Sequence, residues 1–124
     1  MPDESTTLAQ LRRLMADFVA ERDWEIYHDA KNLSMAIAIE AAELMECFQW
    51  VRNEELAALT CDADVRAQIT DEVADILCFV LALANVLELD LSTAVEQKMA
   101  KNAAKYPPET FRGRYFKPKR GEAD

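Results

Sequence analysis

Apolar residues recur at helical spacing through most of the chain. Leu8, Leu11, Met15 and Phe18 stand three or four positions apart, which predicts a first helix over about residues 8–21. Thr7 and Gln10 have the form of a capping box at its start. From Arg22 to Lys31 the period breaks, and large side chains crowd what reads as an irregular connection. A second stripe, Leu33, Ile37, Leu44, Phe48 and Val51, predicts a second helix with Asn32 as its N-cap. Residues 52–63 are polar, with room for a short helix over 54–59. The third stripe is Val65, Ile69, Val73, Ile76, Val80, Leu83 and Leu87, an unbroken pattern that Asp62 or Asp64 can cap. Asp90 or Ser92 caps a fourth helix. It must end before Pro107-Pro108, because a proline pushes its predecessor out of the helical region. The residues from Glu109 onward read as a tail.

Between Val73 and Leu89 only Asp75, Asn85 and Glu88 interrupt the apolar run. A membrane span needs ~20 apolar residues and tolerates a carboxylate poorly, so no membrane association is expected. A helix apolar on every side should be buried on every side. One small bundle cannot cover it, so the pattern implies a homo-oligomer. The expected architecture is all-α, a four-helix bundle in a single domain over residues 1–111 with a basic tail at 112–124. A chain of 124 residues, 51% of them apolar, is long enough for one such core. Its two glycines, Gly113 and Gly121, both lie in the tail. No glycine-rich phosphate loop can be written with them, and a turn-rich β fold is disfavoured.

The 23 acidic residues outnumber 14 basic ones, for a net charge of −9. Five of the basic residues, Arg112, Arg114, Lys117, Lys119 and Arg120, are concentrated in the tail. The remaining body repels a nucleic-acid backbone, and binding to a nucleic-acid polymer is not expected. Cys47, Cys61 and Cys78 are odd in number and form no CxxC, so neither a disulfide framework nor a thiolate zinc site is suggested. The N-terminal segment lacks a basic region followed by an apolar one, so no signal peptide is expected, and a cytoplasmic location fits.

Two pairs of acids depart from the usual solvated face. Glu40 and Glu43 lie three apart on the second helix, and Glu72 and Asp75 three apart on the third. Residues at that spacing project side by side. Both pairs lie on or beside the apolar stripes, so packing the stripes brings four carboxylates together. Such a cluster must protonate, spread apart or bind a cation. Oxygen-only ligands suit Mg²⁺, with Mn²⁺ as an alternative, rather than Zn²⁺. A di-iron bundle needs two Glu-x-x-His motifs, and His28 is the only histidine. The plainer reading leaves Glu40 and Asp75 as edge residues with solvated heads. Glu46 continues the spacing at the rim and is given a structural role.

Lys98, Lys101, Asn102 and Lys105 occupy one arc of the fourth helix. They suit a phosphate chain, or simply neutralise an acidic protein. Trp24, Tyr27, Phe48 and Trp50 flank the first acidic pair in sequence, and Phe79 lies one turn beyond Asp75. Aromatic faces beside a cation site would suit a nucleobase carrying a polyphosphate. Phe48 reads as core, and Trp24 and Trp50 as pocket residues. His28 fits a ligand contact or a structural role equally.

Four segments, LRRLMADFVAERDWEIYH, KNLSMAIAIEAAELMECFQW, DEVADILCFVLALANVLELDL and KMAKNAAKYP, together resemble the MazG-like all-α nucleoside triphosphate pyrophosphohydrolases, most closely their dCTP pyrophosphatase branch. Here the superfamily's ExxE and ExxD motifs are Glu40-xx-Glu43 and Glu72-xx-Asp75. The resemblance implies that these acids hold Mg²⁺ and that water cleaves a nucleoside triphosphate to monophosphate and pyrophosphate. Glu43 is the acid favoured as the base for that water. The resemblance also implies phosphate contacts at Lys98, Asn102 and Tyr106, a base pocket at Trp24 and Trp50, and a tetramer built as a dimer of dimers. His28, Lys31, Asn32 and Phe79 complete the expected substrate-binding set. Two residues depart from the dCTP-specific pattern: Met15 stands where a histidine is usual, and Phe79 where a tyrosine is. The expected substrate is dCTP or a modified dCTP. The alternatives are a broad or non-cytidine triphosphate pyrophosphatase, or a non-catalytic helical interaction module.

Overall fold

The structure is a computed structural model that describes residues 1–116, so Lys117, Lys119 and Arg120 of the basic tail lie outside the described residues. The elements are α1 (Leu8–Ala20), α2 (Ala30–Glu46), α3 (Leu56–Cys61), α4 (Ala63–Leu87), α5 (Leu91–Lys105) and α6 (Pro108–Phe111). No strand occurs among the described residues, so the protein is all-α as its periodicity predicts. Four helices are long, as expected. The chain divides into two compact units, Met1–Leu89 and the segment from Asp90 onward.

Side chains set most of the helix starts. At α1 the Thr7 hydroxyl accepts the Gln10 N–H at 3.1 Å, and Gln10 Oε1 accepts the Thr7 N–H at 2.7 Å. This is the reciprocal pairing that the sequence predicts. Helix α2 starts earlier than expected. Asp29, not Asn32, is its N-cap, and the Asp29 carboxylate accepts the Asn32 N–H at 2.8 Å. Asn32 instead donates its side-chain amide to the Tyr27 carbonyl at 3.0 Å, tying the preceding turn to α2. Asp62 caps α4 by accepting the Asp64 and Val65 N–H groups. Asp90 caps α5 through the Thr93 N–H at 2.9 Å. The segment expected to be featureless after Pro108 opens with the short helix α6, where proline at the first position lacks only an N–H that would have gone unused.

In the first unit α4 packs along α2 and, on another side, against α1. Val19, Leu33, Leu81, Ala82 and Ala84 are its buried residues. The apolar stripe drawn on α4 from sequence is therefore only partly right. Val73 and Leu87 belong to it, yet they remain 51% and 49% exposed, while Ala82 and Ala84 are buried. This part of α4 is apolar on nearly every side, so periodicity could not select a face. The positions of α1 and α2 selected it, and alanines allow the closest approach.

The C-terminal end of α4 is held from outside. The chain leaves the helix through Glu88 in the left-handed conformation (φ 54°). The last carbonyls of any helix lack intrahelical donors. Here the Ala84 carbonyl already accepts the Glu88 and Leu89 N–H groups, and Arg12 of α1 adds a further donor to it at 3.1 Å and donates to the Leu89 carbonyl just beyond the helix. Its Nε donates to Asn85 Oδ1 at 3.0 Å, and Asn85 Nδ2 donates back to the Arg12 carbonyl at 2.9 Å. A cation at a helix C-terminus also opposes the helix dipole favourably.

Removing this clamp is expected to cost about 2 kcal/mol, the range for hydrogen bonds to a charged group. Urea unfolding of Arg12→Ala should show that loss. Arg12→Lys should recover little of it, because an ammonium cannot reproduce the planar fork.

Candidate functional site

The seam between α2 and α4 carries the acids. Later residues of α2 meet earlier residues of α4, so the helices run antiparallel: Glu43, Glu46 and Cys47 share a cavity with Gln68 and Glu72. Glu40, Glu43 and Glu72 each bring a carboxylate oxygen within 4.8 Å of the others. Asp75 is exposed beside them, and its negative charge raises the pKa of Glu40, of Glu72 and of the Cys78 thiol. The two i, i+3 pairs are thus brought together, because the stripes that carry them are the surfaces the helices bury.

The cluster is under electrostatic strain. Glu40 Oε2 and Glu72 Oε2 are inaccessible to solvent and meet no donor among the described residues. The Glu40 carboxyl is pushed up to about 7, first by desolvation and then by hydrogen bonding and repulsion from its acidic neighbours. Glu72 moves in the same direction, again mainly through desolvation. The orphaned oxygens can be satisfied in two ways. A proton can be shared between carboxyl groups, or a cation can replace it. The donor set contains oxygen alone, which suits a hard divalent ion.

Two cavities adjoin the acids. One, of about 380 Å³, is lined by Met15, Phe18, Trp24, His28, Asp75, Cys78 and Phe79. Asp75 makes it contiguous with the acid cluster. Its wall is apolar and aromatic, with His28 supplying an imidazole. The Trp24 indole is positioned by a stack: Arg22 lies 3.7 Å above the Phe18 ring centroid, and Phe18 meets Trp24 edge-on at 5.8 Å. Arg22 also donates to the Phe18 carbonyl at 2.9 Å, holding the turn that presents Trp24. Burial raises the Cys78 thiol pKa, so this cysteine stays a neutral wall residue. The second cavity, of about 240 Å³, is the acidic one shared by Glu43, Glu46, Cys47, Gln68 and Glu72.

The other expected site residues fall elsewhere. Trp24, His28 and Phe79 share the aromatic cavity, but Trp50 lies in the turn after α2, 90% exposed and with a left-handed backbone (φ 67°). Lys31 is exposed in the first turn of α2, beside Asn32, whose side chain holds the Tyr27 carbonyl. Lys98 and Asn102 lie on α5, and Tyr106 at its C-cap, in the second unit. There the Tyr106 ring packs edge-on against Phe111 at 5.1 Å. Phe18 and Cys78, read from sequence as a helix-stripe residue and an unpaired cysteine, were not expected in the site. The signal was present, since each lies three residues from a singled-out position, Met15 and Asp75 respectively. Gln68 gave no sequence signal.

The family model described as MazG-like matches residues 35–114. Among curated proteins, dCTP pyrophosphatase 1 of Bos taurus is 43% identical over 107 residues, 86% of this chain and 63% of that protein. Its counterpart from Homo sapiens is 41% identical over 106 residues, 86% of this chain and 62% of that protein. The chain therefore spans less than two thirds of the length of the curated relatives it matches. Among solved structures, a pyrophosphatase from Archaeoglobus fulgidus shares 35% identity with a TM-score of 0.76, covering 86% of this chain and 98% of that one.

The raised Glu40 carboxyl has a consequence for stability. Its ordinary value is 4.5 and its folded value about 7, so folding takes up a proton between those limits. The stability this contributes is complete below about 4.5 and is lost as pH rises through about 7. In chelator, the melting temperature is expected to fall between about pH 4.5 and pH 7 and to level off above that. Glu40→Gln, which cannot ionise, should flatten that slope in a thermal scan.

Proposed function

The chain belongs to the MazG-like family, and we propose that it is a divalent-cation-dependent pyrophosphohydrolase acting on a nucleoside triphosphate, most closely dCTP or a modified dCTP. The products are the monophosphate and pyrophosphate. One observation carries this reading: Glu40 and Glu72 each hold a solvent-inaccessible, donorless carboxylate oxygen in a cluster whose neighbour Asp75 lines an aromatic cavity. The names of the curated relatives and of the solved pyrophosphatase support the same class.

Glu40, Glu43 and Glu72 would hold the ion, with Asp75 completing the set. Mg²⁺ fits the oxygen-only donors, and Mn²⁺ is the substitute. When bound, the ion supplies positive charge to phosphate oxygens and lowers the cost of bringing a polyanion to an acidic surface. Trp24 offers a face to the base in the aromatic cavity, with Phe79 and Met15 as apolar walls and His28 as a hydrogen-bonding group. Lys98 and Asn102 stand one turn apart on α5, and with Tyr106 at its C-cap they are the groups proposed to steady the phosphates. Glu43 is the favoured base for the attacking water, with Lys31, Asn32 and Trp50 in supporting substrate contacts. Because Met15 and Phe79 present no polar atoms that could read a base edge strongly, neighbouring pyrimidine triphosphates remain competitors in a substrate panel.

The working form is a homo-oligomer, with a tetramer as the proposed state. The support is an apolar face that one chain leaves open. Met35 and Ile39 are each 56% exposed and Met45 is 72% exposed along α2, beside an apolar cavity of about 500 Å³ lined in part by Ala42, Met45 and Phe48. Val73 and Leu77 extend the exposed apolar surface on α4. A second copy would cover this face.

Pyrophosphate release from a panel including dCTP and 5-substituted dCTPs, with and without Mg²⁺, tests the activity. Glu72→Gln is expected to keep the fold and lose turnover by at least about a thousandfold, as for groups acting in the transition state. Full activity in that variant would remove the acid cluster from the chemistry. Light scattering tests the assembly: Ile39→Asp should shift the mass toward smaller species, because a charge at an apolar interface is left unpaired.

A further inference from the structure

The acidic cavity beyond the cluster is not used by the reading above. Glu43 and Glu72 belong to both, but Glu46 and Gln68 belong only to the cavity. Glu46 lies three residues after Glu43, and Gln68 four before Glu72, so each projects beside a member of the cluster. Among the described residues neither side chain has a hydrogen-bond or ion-pair partner. Cys47 is already engaged, its thiol donating to the Glu43 carbonyl at 3.7 Å.

Three carboxylates line this cavity, so it does not suit an anion. Its occupant should instead be rich in donors. A hard divalent ion supplies one, because Mg²⁺ in particular gives up its water reluctantly and keeps several molecules when a few carboxylates bind it. Those waters donate outward and need acceptors on the side away from the protein ligands. The Glu46 carboxylate and the Gln68 amide oxygen line the same cavity as Glu43 and Glu72 and would be available as such acceptors. At about 30 Å³ per water, a space of about 240 Å³ has room for several.

We propose that Glu46 and Gln68 are positioning residues for the cation: they hold the water it keeps on this flank, and so set its affinity. The inference rests on the divalent-cation reading and deepens it. It also replaces the structural role given to Glu46 from sequence. Groups that orient a metal's immediate partners typically change affinity by about 10–100-fold when removed.

The test is Mn²⁺ binding to the full chain without nucleotide, followed through the electron paramagnetic resonance signal of the free ion. Glu46→Ala is expected to weaken binding about tenfold, and Gln68→Ala by a smaller but measurable factor. Glu46→Gln, which keeps an acceptor oxygen, should recover part of the loss. The melting temperature in chelator should stay at the wild-type value in all three, since a merely structural role would lower it. Binding within about twofold of wild type in both alanine variants would overturn the proposal. So would a Glu46→Gln variant as weak as Glu46→Ala, which would reduce Glu46 to a remote charge. If the wild-type chain itself binds no Mn²⁺, both this inference and the cation reading fall. If it binds normally while the variants match it, only this inference falls.

Discussion

Carboxylates that cannot all stay charged sit in the middle of an apolar helix seam, and the rest of the first unit is arranged around that conflict. Glu40 lies within the stripe that α2 buries, between Ile37 and Leu44, so packing α2 on α4 drags a carboxylate out of water. Desolvation raises Glu40 and Glu72 together. The fold accepts this penalty because the alternative, turning the stripe outward, would expose Leu33 and its neighbours. A site under such strain is poised to take up positive charge, from protons or from a cation.

The surrounding structure keeps the seam from relaxing. Arg12 closes the end of α4 and ties it to α1, so the helix carrying Glu72 and Asp75 is anchored well beyond the acids. Arg22, Phe18 and Trp24 form a second brace, which fixes the aromatic wall on the Asp75 side. The Asn32 amide holds the turn containing Trp24 and His28 to the start of α2. The Arg12 brace joins distant parts of the sequence, whereas the other two are local and fix the turn between α1 and α2. Together they brace the helices that line the aromatic cavity and the acidic one.

The apolar surplus of α4 and α2 follows a different logic. Hydrophobic burial is non-directional, and the first unit has too few elements to cover every apolar side of a 25-residue helix. Met35 and Ile39 on α2, and Val73 and Leu77 on α4, each stand one turn apart on their helix and remain exposed. An exposed apolar surface of this kind is what the proposed second copy would cover. The charged cluster stays distinct from this surface because its polar heads lie in the α2–α4 seam.

Much of this was legible in the chain itself. Helical spacing determined the all-α class, the four long helices and the capping box at Thr7, because local periodicity and capping chemistry act over a few residues. The two acid pairs were legible for the same reason: residues three apart on a helix are neighbours wherever the helix goes. Sequence pointed to Asn32 as the cap of α2, but Asp29 can accept the same kind of hydrogen bond and takes that position, while the Asn32 amide donates to the Tyr27 carbonyl. Sequence could not select the buried face of α4, where every face is apolar, or see that Gln68 would stand beside Glu46. Those outcomes depend on which helices lie alongside, a long-range property that no local pattern encodes. The convergence of Glu40, Glu43 and Glu72, and the solvent-inaccessible oxygens it leaves without donors, exist only once α2 and α4 are packed together.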